Sequence, residues 1–103
     1  MSVSAPLSRA DAQYLETGKS LLERCKSGTG GAVYCLGYIA GIADAMAAGN
    51  VVNNAKACLP GAAREGLLQD VVVTFLEGQK DLEGFAAVGL VAAALKEGFP
   101  CPK

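Results

Sequence analysis

Four cysteines in 103 residues, at positions 25, 35, 58 and 101, set the tightest limits on how this chain can fold. Neighbouring cysteines lie 10, 23 and 43 residues apart, so no two fall within the short gap of a zinc-ligand pair, and the chain has no histidine. No metal site and no metal-ligating residues are expected. An even number of cysteines in a domain too short to bury a large core reads instead as two disulfides, and hence as an oxidising compartment. Four free core thiols are the alternative. The cysteines alone do not fix the pairing.

The rest of the composition narrows the function classes. With 51% hydrophobic and 18% charged residues the chain is globular. A net charge of −1 without a basic run makes nucleic acid and anionic membrane surfaces poor partners. Lacking histidine, the chain lacks the commonest general base. No catalytic residues and no cofactor are expected, and a thiol enzyme would need a reactive free cysteine. The opening MSVSAPL has neither the charged nor the apolar part of a leader. Export is reconciled with this if Met1 stands in place of a removed leader; a cytosolic protein with reduced thiols is the alternative. The expected organisation is a flexible tail over residues 1–7 and a single helical domain over 8–103.

Helical periodicity places four segments. The first spans about residues 9–25, with Ser8 as N-cap, Asp11 completing a capping box, and Leu7, Tyr14, Leu15, Gly18, Leu21, Leu22 and Cys25 on one face. SGTGG (27–31) reads as a break; without a following Gly-Lys-Ser/Thr or a preceding strand it is not a phosphate loop. A second helix covers about 32–49. The connection that follows carries Asn53-Asn54 and Pro60-Gly61 as turn signals and is pinned by Cys58. The third helix spans about 64–77, with Leu67, Leu68, Val71, Val72, Phe75 and Leu76 in its stripe. After a polar turn, with Asp81 as N-cap, the fourth spans about 82–97 and is apolar nearly all round. Such a helix must be buried on all sides, which points to a homodimer. Gly98 and the FPCP that follows end it.

The second helix has two unlike sides. One carries Cys35, Tyr38, Ile39, Ile42 and Met46, a bulky core face. The other carries Gly37, Ala40, Gly41, Asp44, Ala45 and Ala48, with Gly37, Gly41 and Ala45 spaced by four. Glycine inside a helix costs roughly 1 kcal/mol relative to alanine. Its repetition suggests a close helix–helix contact, within the subunit or across a dimer, with Asp44 bonded to the neighbour because an unpaired buried carboxylate is costly. A thin solvent-facing side is the plainer reading. Asp44 breaks the apolar run, so membrane insertion is not expected.

An up-down-up-down bundle brings Cys25 and Cys35 to one end of a hairpin and delivers Cys58 and Cys101 together at the other. Geometry therefore favours Cys25–Cys35 with Cys58–Cys101, over Cys25–Cys101 with Cys35–Cys58. The fold class is all-α, a compact bundle of four main helices with two disulfides.

CLGYIAGIADAM (35–46), CLP (58–60), VVVTFLE (71–77) and LVAAALKEGFPCP (90–102), in this order and spacing, resemble the Rap/Tai family of type VI secretion immunity proteins over about residues 15–102. The resemblance implies a periplasmic, disulfide-bonded, usually dimeric helical protein with its leader removed. It implies binding to a secreted peptidoglycan amidase effector, whose active-site cleft it occludes through the loop between the third and fourth helices: Glu77, Gly78, Gln79, Lys80, Asp81 and Leu82. The competing reading is a periplasmic stress or acid-responsive chaperone-like protein with no toxin partner, its switch resting on carboxylates such as Asp44, Asp70 or Glu97.

Overall fold

A computed structural model describes residues 15–61 and 64–102. The expected tail at residues 1–7 and the Ser8–Asp11 cap lie outside them. Among the described residues four helices make the fold: α1 (Gly18–Cys25), α2 (Gly28–Ala47), α3 (Glu65–Gly78) and α4 (Ala87–Gly98), with one 3-10 turn, Lys80–Leu82, between α3 and α4. Both disulfides form in the favoured pairing, Cys25–Cys35 and Cys58–Cys101, with Cα atoms 5.0 and 4.8 Å apart.

α1 starts at Gly18, so residues 15–17, expected to be helical, are not. The stop is chemical. Thr17 is extended, and its side chain accepts from the Ser20 N–H at 3.2 Å while its own N–H donates to Ser20 Oγ at 2.9 Å. This reciprocal cap satisfies two of the donors that a helix start leaves unpaired. Upstream of the cap the chain pairs with the segment leading into α4: Thr17 and Ala86 form an antiparallel bridge, Gly18 N–H donates to Phe85 O at 2.9 Å, and Ala87 N–H donates to Glu16 O at 2.9 Å.

That pairing also corrects the start of the fourth helix. Residues 82–86 were expected to be helical with Asp81 as cap. Instead Asp81 lies inside the 3-10 turn, and Ala86 is extended, at φ −59° and ψ 133°, because the bridge to Thr17 claims its backbone. The second helix departs in the other direction. It begins at Gly28, four residues before the expected start, so most of SGTGG is helix. The glycine there serves proximity: a Cβ on Gly31 would lie 2.2 Å from the Arg24 carbonyl oxygen, so only glycine lets α2 pass this close to the end of α1.

The core forms where the four helices meet. Leu21 and Leu22 enter from α1, Cys35, Ile39, Ala43 and Met46 from α2, and Leu68, Val72 and Leu76 from α3. α4 gives the most, burying Ala87, Leu90, Val91, Ala92, Ala94 and Leu95. Each fully buried leucine or valine contributes about 1.5–3 kcal/mol. The expectation that α4 needs a second copy of the chain to bury it is thus corrected. Within the one chain α1, α2 and α3 pack against it and bury those six residues, leaving Val88 and the polar end from Lys96 to Gly98 exposed. In the 50–60 connection Val52 and Ala55 exchange both backbone hydrogen bonds, 3.0 and 2.8 Å, around Asn53 and Asn54 at φ 51° and 64°. This is a two-residue turn whose positive φ values asparagine tolerates.

α2 is 20 residues long and, by length and composition, apolar enough to cross a membrane. It is tied to α1 by a disulfide and packs one side, with Cys35, Ile39, Ala43 and Met46 buried, against α1, α3 and α4, while much of its other side is open.

Candidate partner-binding surface

The loop from Glu77 to Leu82 is short and firmly held. Gln79 N–H donates to Leu76 O at 3.2 Å, Leu82 N–H to Gln79 O at 2.9 Å, and Phe85 N–H to Leu82 O at 3.0 Å. Lys19 N–H reaches across from α1 to Glu83 O at 2.8 Å. Leu82 is half-buried against the core, Gln79 is half-buried, and Glu77 forms an ion pair with Lys26 at the end of α1. The Lys26 ammonium, by hydrogen bond and by charge, holds the Glu77 carboxyl below the usual carboxylate range. Of the six loop residues, Lys80 and Asp81 form the exposed apex, offering one cation and one anion on an ordered turn. Beyond them Phe85 is 61% exposed, and Leu15 (93%) and Val88 (38%) flank the bridge that joins α1 to the start of α4. Phe85 falls within the segment expected to be part of a fourth helix buried on all sides. Gly84 just before it, at the break between the 3-10 turn and α4, was the available sign of its exposure.

The small-residue face of α2 lies apart from this loop. Gly37, Gly41 and Asp44 are exposed and Ala45 is half-buried. A Cβ on either glycine would meet nothing within 4 Å. Among the described residues no other helix comes close to these two glycines. The close approaches are made at Gly31, and at Gly18, where a Cβ would lie 2.5 Å from Leu90 Cδ1.

One polar network was not anticipated. Glu16 is buried, 3% exposed, where α1 meets α2. The Ser20 hydroxyl donates to its Oε1 at 2.6 Å, and Arg24 Nε lies 2.7 Å from its Oε2. Arg24 also stacks over the Tyr34 ring at 4.3 Å, a cation–π contact. Burial alone would raise the Glu16 carboxyl; the hydrogen bonds from Ser20 and Tyr34 and the charge and hydrogen bond of Arg24 outweigh it and hold the group below the usual range. The same Glu16 contact raises the Tyr34 hydroxyl. Ser20 and Arg24 lie four apart on one edge of α1, and Glu16, in the extended segment just before the cap, folds back to meet them.

Among the described residues no group of three or more histidine, cysteine, aspartate or glutamate side chains could hold a metal ion, and every cysteine is in a disulfide. What the fold and surface define is a disulfide-braced helical domain with an ordered, mixed-charge turn between α3 and α4. The sequence profile of the Rap1a immunity proteins matches residues 17–101, and the chain belongs to that family. Its members bind secreted toxins and are generally not enzymes. A comparison with curated proteins finds no match.

Proposed function

We propose that this protein is a periplasmic type VI immunity protein that inhibits a secreted peptidoglycan amidase by filling its active-site cleft. The observation that carries this reading is the family match over residues 17–101. The two disulfides agree with a location outside the cytoplasm.

The docking element is the loop Glu77, Gln79, Lys80, Asp81 and Leu82. Its order is the physical argument. A loop already fixed by several backbone bonds, a half-buried leucine and an ion pair loses little conformational entropy when it enters a cleft. Lys80 and Asp81 supply charge at the tip, and the exposed Phe85 behind them supplies an apolar anchor of the kind that concentrates binding energy. The protein acts as a homodimer, and with α4 internal, the uncovered face bearing Gly37, Gly41, Asp44 and Ala45 is the surface left for the second copy.

The test is direct. Amidases encoded beside this reading frame are purified, captured on the immobilised protein and assayed on peptidoglycan. Stoichiometric inhibition by the wild type, weakened by Lys80→Ala with Asp81→Ala, is expected. Absence of binding to every neighbouring amidase would reject the amidase assignment.

A further inference from the structure

The two disulfides sit in opposite surroundings. Cys35 is fully buried at 0% exposure, and Cys25 is half-buried and packed against the core. Cys58 is exposed and Cys101 half-exposed. Breaking either bond by exchange requires a thiolate to attack one sulfur and a second thiolate to leave. Attack on Cys25 would expel a thiolate at Cys35 into an apolar core, where burial disfavours the charged form. Attack on Cys58 expels a thiolate at Cys101 instead. Cys101 lines an open groove together with Lys56, Lys96 and Glu97, where two cations against one anion favour the departing charge.

Little else holds the tail that carries Cys101. Pro100 and Pro102 have no N–H to donate. Among the described residues the tail's backbone tie to the 50–60 connection is one bond, from Cys58 N–H to Phe99 O at 2.9 Å.

We propose that Cys58–Cys101 is a thiol–disulfide exchange site, open to a dithiol under native conditions while Cys25–Cys35 stays closed. One thiolate of the dithiol bonds to Cys58 Sγ. The Cys58–Cys101 bond breaks, and its electron pair leaves on Cys101. The second thiol of the dithiol, deprotonated, then attacks the mixed disulfide and releases Cys58 as a thiolate. Both protein thiolates take protons from water. The dithiol ends as a disulfide, and the protein ends with two thiols and a released tail.

The experiment uses the native protein with dithiothreitol as the dithiol, quenched at intervals with iodoacetamide and mapped by peptide mass. Alkylated Cys58 and Cys101 are expected at least about tenfold faster than alkylated Cys25 and Cys35. Equal rates, or the opposite order, would overturn the proposal. A Lys56→Gln, Lys96→Gln variant tests the groove. It is expected to slow the Cys58–Cys101 reaction several-fold at low salt and to leave Cys25–Cys35 unaffected; an unchanged rate overturns the role of the groove in expelling Cys101. Neither outcome depends on whether a toxin binds.

Discussion

At the α1–α2 corner, the Cys25–Cys35 bond is one of several ties. Glu16 joins Ser20 and Arg24, Arg24 covers Tyr34, Gly31 admits α2 against α1, and Cys35 is embedded in the core. Where the 50–60 connection meets the C-terminal tail, the Cys58–Cys101 bond is supported by one backbone hydrogen bond, the buried Ala55 and Ala57, and the partial burial of Leu59 and Phe99. Sequence separation adds a second contrast, 10 residues in the first case and 43 in the second. The same covalent bond is therefore one tie among several in one place and the main tie in the other.

Replacing both members of each pair by alanine tests this contrast most strongly. Loop-closure entropy assigns about 4 kcal/mol to Cys58–Cys101 and about 3 kcal/mol to Cys25–Cys35. Urea unfolding of the two double variants is expected to follow that order. The reverse order would mean that packing around the buried Cys35 outweighs chain entropy.

Glu16→Gln comes next. It removes a charge-assisted network and is expected to cost about 2 kcal/mol at neutral pH. Because the folded-state carboxyl is held low, its contribution is complete above the unfolded-state value and is lost as pH falls through the folded one. The stability gap between wild type and Glu16→Gln, measured by thermal unfolding, should therefore narrow below about pH 4. A gap independent of pH would locate the stabilisation outside the ion pair.

Glycines of a single helix give smaller effects of opposite sign. Gly31→Ala drives a Cβ into the Arg24 carbonyl and is expected to destabilise by about 1–3 kcal/mol. In the separated chain Gly41→Ala enters open space and should stabilise by up to about 1 kcal/mol through helix propensity. Loss of stability at Gly41, measured at concentrations where the protein self-associates, would show that a second copy covers that face. The smallest effect on stability, within about 0.5 kcal/mol, is expected for Lys80→Ala with Asp81→Ala, whose side chains are exposed. Calorimetry against the toxin should show their effect on binding instead.

The elements were legible because they rest on local pattern, and the cysteine pairing because their order fixes which helix ends meet. α3 falls within a residue of its expected bounds, and Cys35, Ile39 and Met46 of the expected α2 core face are buried. What was hidden depends on partners distant in the chain. Thr17 stops α1 through a cap that Ser20 completes, but the extended chain before it is held by Ala86 and Ala87, far along the sequence. Gly31 looks like a breaker until the Arg24 carbonyl beside it is seen. α4 reads as an interface helix because periodicity cannot tell burial by one's own chain from burial by another. The candidate loop was located by resemblance; its order comes from contacts with Lys26, α1 and the core that no local pattern contains.

The position of α4 has a consequence for how the chain reaches its folded state. Its six buried residues, Ala87 to Leu95, fill the space that the other three helices share. Those helices precede it in the chain, and without it their apolar faces have no common filling. Synthesis from the N-terminus thus yields a growing chain that cannot settle until its last helix is supplied. Commitment to the native structure waits for residues 87–95, and truncation before them should leave a collapsed but unfixed chain.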